Sequence, residues 1–286
     1  QKISKFTFQK LNPDILHTTY YDEYLISNQK PIVITVHDLI HEIYYKDFGF
    51  DKDFRPKKKI IERADQVICV SNATKQDLLK YYNINEKKIS VIYHGKQKTI
   101  NNKECEFKII KPYFLYLGSR KRYKNFRILL EAFTLEKNIF KDFEIICFGG
   151  GKFLKEEKNL FQKLKIREDQ IKHYSGNDDV LYYLYKNAVA LVYPSHYEGF
   201  GMPILEAMNL NCPVISSNTS SMPEVFGDAA LSFDPKNKIE LLECLKSIAF
   251  DDKIKNKLIK NGKIRSELFS WEKCSKETLK VYNKLL

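Results

Sequence analysis

Short apolar runs rich in β-branched and aromatic residues recur along this chain, and stretches with helical spacing lie between them. That alternation is the tightest constraint on the fold. A strand covered on both faces reads as a continuous apolar run rather than as an every-other pattern, which is the habit of parallel sheets flanked by helices. The predicted strands are Asp14–His17, Ile32–Val36, Gln66–Val70, Ile89–Tyr93, Tyr113–Leu117, Phe143–Phe148, Ile171–Tyr174, Ala188–Tyr193, Pro213–Ser216 and Ala230–Phe233. Helices are predicted over Asn125–Phe133, Asp178–Asn187 and Met202–Met208. This order specifies an α/β protein built on parallel sheets.

A chain of 286 residues with 43% hydrophobic side chains can build one large core or two medium ones. The segment HGKQKTINNKECE, from His94 to Glu106, is polar and lacks any period, as a linker does. The expected domains are therefore 1–106 and 107–270. A terminal amphipathic helix over 271–286 puts Trp271, Thr278, Leu279, Val281, Tyr282 and Leu285 on one face, and is expected to cross back to the first domain. That domain offers only four strand candidates, against about six in a full doubly wound unit. It reads as incomplete in a chain that begins at Gln1.

The formal net charge of +12 admits nucleic acid, anionic membrane or phosphorylated small molecules as partners. The excess is lysine spread along the whole chain, and no nucleic-acid motif accompanies it, so nucleic acid is not an expected partner. The six cysteines form no C-x-x-C pair and no zinc spacing with histidines. Cys69 and Cys147 sit inside predicted strands, where a free thiol behaves as a small hydrophobe. Reduced, buried cysteines point to the cytoplasm. No apolar run has the length of a membrane span. The run Phe54–Ile61, FRPKKKII, suits either a solvated helix face or peripheral contact with an anionic membrane.

Two strand ends carry chemistry. GSRKRYKN, Gly118 to Asn125, leaves the strand YFLYL and opens a helix. In doubly wound sheets ligands gather at the carboxyl ends of strands, so Arg120 and Lys124 stand where an anion would sit. Guanidinium grips phosphate bidentately and lysine adds a point charge; a solvated basic loop is the other reading. The second strand end is HYEGFGMPILEAM, His196 to Met208. Gly199 and Gly201 let backbone approach a ligand, Pro203 suits a first helical turn, and the free N–H groups there favour an anion. Glu198 precedes this loop and Glu206 follows it. A carboxylate can accept hydrogen bonds from two vicinal hydroxyls, so acid, loop, acid matches the order hexose, diphosphate, ribose. Alternatively, Glu206 is an acid favouring the helix dipole and Glu198 a surface residue.

Together these segments resemble the retaining family-4 glycosyltransferases of GT-B fold. E198GFGMPILE206 looks like their E-x7-E element, and S119RKRYK124 is similar to their diphosphate-binding cation pair. ALVYPSHYEGFGMPILEAMNLNCPVISSNTSSMPEVFGDAALSFDP, CVSNATKQDLLKYYNINEKKISVIYHG and TVHDL extend the likeness over nearly the whole chain. The resemblance implies two Rossmann-like domains facing across a cleft. It implies a nucleotide-diphosphate sugar as donor, either GDP-mannose or a UDP-sugar, and a glycan or lipid-linked acceptor. Arg120 and Lys124 would neutralise the leaving diphosphate, Glu198 would hold the hexose and Glu206 the ribose. Backbone at Phe200, Gly201, Met202 and Pro203 would cradle hexose and phosphate, and His37, with Asp38 beside it, would reach the donor sugar. The loops with Gly118, Ser119, Gly149, Gly150, Gly176 and Asn177 would frame the nucleotide. Positive side chains would take the charge of the leaving diphosphate, so no cofactor or metal is expected. A non-catalytic sugar-nucleotide-binding protein and a sugar-nucleotide epimerase remain the alternatives.

Other features read as structural. Ser71 is expected to cap a helix over Ala73–Tyr81, and Ser221-Met-Pro-Glu224 to form a capping box. Tyr182, Tyr183 and Tyr185 read as packing.

Overall fold

The computed structural model describes residues 13–18, 21, 29–45, 55–97, 108–136 and 138–286. Most of the linker segment, Cys105 and Phe54 lie outside them. In chain order the elements are β1 (Leu16–Thr18), β2 (Ile32–Val36), α1 (Ile40–Ile43), α2 (Arg55–Arg63), β3 (Gln66–Cys69), α3 (Asn72–Tyr81) and β4 (Ile89–Val91). There follow β5 (Tyr113–Leu117), α4 (Phe126–Leu135), β6 (Glu144–Phe148), α5 (Lys155–Lys163), β7 (Ile171–Tyr174), α6 (Asp178–Asn187), β8 (Ala190–Tyr193), α7 (Met202–Asn209), β9 (Val214–Ser217), α8 (Met222–Phe226), β10 (Leu231–Phe233), α9 (Lys238–Phe250), α10 (Asp252–Ser266) and α11 (Trp271–Tyr282). Every predicted strand is present, displaced by at most two residues at an end.

The chain forms two compact units, one made of residues up to Gly95 together with Ser270–Leu286, the other of Lys96–Phe269. Each holds a wholly parallel sheet, with strand order β1-β2-β3-β4 in the first and β10-β9-β8-β5-β6-β7 in the second. The apolar runs are buried on both faces: all five residues of β5 and all four of β8 are buried. Full burial of each Val, Leu, Ile or Phe contributes about 1.5–3 kcal/mol.

In the first unit Ile32, Ile34, Val67 and Cys69 face a core closed by Ile60, Ile61 and Leu78. The opposite face, with Val33, Ile68 and Ile92, packs against Val281 and the half-buried Cys274, Tyr282 and Leu285 of the terminal helix. The buried stripe therefore runs through Cys274 and Val281. Trp271 and Leu279, expected on it, stay 48% and 56% exposed, because they sit on a neighbouring stripe of the helix. Ser71 caps α3 as expected, accepting from the Thr74 N–H at 3.0 Å.

Basic helix α2 turns one side into the core and leaves the other at the surface. Its Ile60 and Ile61 are buried in the core, and Lys57 is buried as well, paired with Glu42 at 2.8 Å, which also accepts from the Tyr82 hydroxyl. Lys58 and Lys59 remain at the surface. Among the described residues no helix is long and apolar enough to cross a membrane. The described cysteines are free, and burial pushes the Cys69 and Cys212 thiols up to about 12.

Candidate active site

The second sheet reverses its direction of growth once. From β5 the chain steps outward to β6 and β7, then returns to the other side of β5 for β8, β9 and β10. The connections from β5 and β8 therefore run in opposite directions along the sheet, and a crevice at the carboxyl ends of the strands follows from that topology. Both predicted motifs lie there. GSRKRYKN leaves β5 and HYEGFG leaves β8, and the two strands are neighbours, with Leu115 opposite Leu191.

Short polar contacts fuse these loops. The Tyr116 hydroxyl donates to the carbonyl of Ser119 at 2.7 Å, folding the first loop back over its own strand. Asn125, in a left-handed conformation at φ 54°, donates through its amide to the carbonyls of Pro194 and Pro235, and the His196 N–H donates to the Tyr123 carbonyl at 2.7 Å. From the far side, the hydroxyls of Ser220 and Ser221 donate to the Glu198 carbonyl at 2.6 and 2.8 Å, and Ser221 also reaches the Phe200 carbonyl. This corrects the capping box: Ser221 makes no side-chain cap on α8, because its hydroxyl is engaged by the loop it holds.

Lys124 and Glu198 meet as a result. The Lys124 ammonium lies 2.6 Å from a Glu198 carboxylate oxygen, with side chains only 18% and 9% exposed. The ammonium also sits over the rings of Tyr123 and Tyr193, and Tyr193 donates its hydroxyl to Glu198. Three residues past Glu198, Gly201 adopts φ 102° and opens α7 with no side-chain cap; Pro203 brings no N–H and the Ile204 N–H donates to the Gly201 carbonyl at 3.0 Å, which leaves the Met202 N–H at the helix start. Phe200 is buried with its ring edge-on to Phe269, so only its backbone faces this turn; Met202 and Pro203 form the first turn itself. One turn further along α7, Glu206 accepts from the Tyr185 hydroxyl at 2.8 Å. Burial raises its pKa, an effect the Tyr185 bond partly opposes and the nearby Asp178 reinforces.

Arg120 departs from the expectation of a cation facing an anion beside Lys124. Its side chain is 2% exposed and its donors are engaged: Nε with Glu157 at 2.7 Å, and the terminal nitrogens with the carbonyls of Gly149, Gly151 and Lys152. The guanidinium stacks over Phe153 at 4.9 Å. Burial alone would raise the Glu157 pKa, but Arg120 and the Leu154 N–H outweigh it and hold the carboxyl below its usual range. The arrangement clamps the turn Gly149–Gly151, whose three residues all have positive φ. A side chain at Gly150 would place its Cβ 2.4 Å from the Gly118 carbonyl oxygen, so glycine is needed for the two loops to approach.

The other predicted positions are local. Ser119 is exposed and its hydroxyl accepts from the Lys121 N–H. Asn177 caps α6 by accepting from the Val180 N–H at 3.3 Å, and Gly176 leaves room for the Val180 side chain. His37 and Asp38 belong to the first unit. His37 is exposed just past β2 and stacks on His94 at 5.7 Å, and His94 lies 5.5 Å from Trp271. Asp38 accepts from the Ile40 N–H, turning the chain into α1. Sequence reasoning missed Asn125, Tyr185, Tyr193, Glu157 and the Ser220–Ser221 pair. The run SSNTSS, which begins on the last residue of a predicted strand, was the one visible signal for the last.

The family model for glycosyl transferases group 1 matches residues 97–265. The chain belongs to this family. A model for Glycosyltransferase Family 4 matches residues 3–96. Among curated proteins, the chain is 33% identical over 243 residues to the O-antigen chain mannosyltransferase RfbU of Salmonella typhimurium, covering 83% of this chain and 65% of that protein. It is 37% identical over 178 residues to O-antigen chain mannosyltransferase B of Escherichia coli, covering 60% of this chain and 46% of that one. The chain thus spans about half to two thirds of the length of these relatives. Its architecture is that of GT-B glycosyltransferases: it superposes on sucrose-phosphate synthase from Thermosynechococcus elongatus with a TM-score of 0.82 at 22% identity, over 99% of this chain and 76% of the other.

Proposed function

We propose that this glycosyl transferases group 1 chain moves a hexose from a nucleoside-diphosphate sugar to a glycan or lipid-linked acceptor, with retention at the anomeric carbon and without a metal ion. The observation that carries the reading is the convergence of Lys124, Glu198 and the uncapped start of α7 at the sheet reversal. GDP-mannose is the first donor to test, since two relatives are named O-antigen mannosyltransferases. A UDP-sugar is the alternative. Chemistry on such donors belongs in the cytoplasm, with a lipid-linked acceptor presented at the membrane surface.

Transfer breaks the bond between the anomeric carbon and the phosphate oxygen, so negative charge grows on the diphosphate as the hexose becomes oxocarbenium-like. Lys124 and the start of α7, with its Met202 N–H and helix dipole, are positive partners for that charge held in place by the fold. Glu198 holds hexose hydroxyls and Glu206 the ribose. Arg120 acts through the Gly149–Gly151 turn, keeping it in place beside Gly118. His37 is proposed to hydrogen-bond the donor hexose. The acceptor hydroxyl attacks the anomeric carbon on the face the diphosphate leaves, and its proton passes to the departing phosphate oxygen.

A thermal-shift panel of nucleotides and sugar nucleotides tests the donor assignment, since a ligand bound only by the folded state raises the melting temperature. A turnover assay with the stabilising sugar nucleotide then separates transfer from binding alone and from epimerisation. The reading fails if no sugar nucleotide stabilises the chain, or if Lys124→Ala leaves transfer unchanged.

A further inference from the structure

We propose that Glu198 is the internal counter-anion of Lys124 and thereby determines which ligands the site accepts: a diphosphate displaces the carboxylate from the ammonium, and the displaced carboxylate turns to the hexose hydroxyls. This deepens the transferase reading and rests on it.

Four observations support the exchange. The pair is close and nearly enclosed, 2.6 Å apart with Glu198 9% exposed, so neither charge is strongly solvated while they are together. A ligand that took Lys124 without bringing its own negative charge would leave a buried ammonium uncompensated, which is costly. Lys124 keeps other contacts when the carboxylate leaves, because its ammonium lies over the rings of Tyr123 and Tyr193 at 5.3 and 5.5 Å. Glu198 can turn without its loop, because Ser220 and Ser221 fix only its backbone carbonyl; besides Lys124, the Tyr193 hydroxyl is the contact its carboxylate must loosen or carry with it. Finally, a diphosphate can engage both Lys124 and the Met202 N–H that begins α7, where a single carboxylate engages only the lysine.

The physical consequence has an unusual sign. A residue that only helped to bind donor would weaken every ligand when neutralised. An internal counter-anion competes with the diphosphate, so neutralising it strengthens binding of the diphosphate alone while transfer suffers from the lost hexose contact. A free neutral hexose gains nothing, because it cannot replace the carboxylate at Lys124.

Calorimetric titration of the full chain with GDP, UDP and inorganic pyrophosphate tests this in the wild type, Glu198→Gln, Glu198→Ala, Lys124→Met and the Lys124→Met/Glu198→Gln double variant. Glu198→Gln should bind pyrophosphate and the recognised nucleotide about three- to tenfold more tightly than the wild type, the scale of one partly enclosed ion pair. Its transfer rate should fall. Glu198→Ala should agree in sign, which covers a folding defect in either variant. The gain should vanish in the double variant, because Lys124 is what the carboxylate occupies. Equal or weaker binding in both Glu198 variants, with wild type binding GDP or UDP, overturns the exchange and leaves the transferase reading standing. A gain that persists without Lys124 also overturns it. If neither nucleotide nor pyrophosphate binds any form, both readings fall.

Discussion

The two parallel sheets finish their strands in different chemistry. In the second, the strands around the reversal end in glycine turns and charged side chains: Gly118 and Lys124 after β5, Gly149–Gly151 after β6, Glu198 and Gly201 after β8. In the first, the order β1-β2-β3-β4 shows no reversal among the described strands, and the strand ends carry imidazoles. His17, in the middle of the short β1, bonds Thr35 and the Tyr282 hydroxyl, and His37 and His94 follow β2 and β4 as a stacked pair. Backbone turns and fixed cations suit a ligand of high negative charge; neutral rings suit hydroxyls. The difference teaches that one architecture, repeated, assigns charge handling to one copy through its loops and not through its strands.

The largest expected effect breaks this contrast if it fails. Lys124→Ala should lower transfer by about 10²–10³-fold, as loss of one fixed electrostatic donor does, whereas His37→Ala should lower it by about tenfold, one hydrogen bond's contribution. Nucleotide affinity should follow Lys124 and not His37. Equal losses in the two variants, measured by initial rates and titration, would remove the division of labour.

Next come the glycine turns. Gly150→Ala should cost about 2–4 kcal/mol of stability, because its Cβ meets the Gly118 carbonyl as well as a left-handed φ. Gly151→Ala faces strain alone, with open space around its Cβ, and should cost about 1 kcal/mol. Urea denaturation of both variants separates close approach from conformational strain.

A smaller effect sharpens the imidazole side. Burial, followed by the charge of His37, lowers the His94 pKa from 6.5 to about 4. Between those values the unfolded chain takes up the proton first, so stability falls as pH drops from 6.5 towards about 4. His94→Gln should flatten that part of the profile, as followed by urea denaturation at successive pH values. The smallest change is Tyr185→Phe. It removes the one bond that opposes the raised Glu206 pKa, so carboxyl carbon NMR should show that pKa moving further up, with a stability loss of about 1 kcal/mol.

Much of the fold was legible because burial on two faces leaves a local mark. Ile32–Val36 and Tyr113–Leu117 could be bounded to the residue, since an apolar run between polar turns needs no distant partner to be read. The terminal helix was legible as a helix but not as a face: choosing Cys274 over Trp271 depends on where Val33, Ile68 and Ile92 stand. At the site, Lys124 and Glu198 could each be singled out by type and loop, whereas their pairing across 74 positions could not. Arg120 shows the same limit more sharply. A guanidinium after a strand looks free until α5 delivers Glu157 to it.

The order of strands and helices, the glycines where backbone must turn left-handed, and the acids and cations at the strand ends were determined by the sequence alone, because each follows from neighbours a few residues away. Which charge meets which was decided by the tertiary structure. The reversal between β5 and β8 brings two loops together and leaves Lys124 to Glu198 and Arg120 to Glu157, and a charge takes the nearest partner that low dielectric and hydrogen-bond geometry allow.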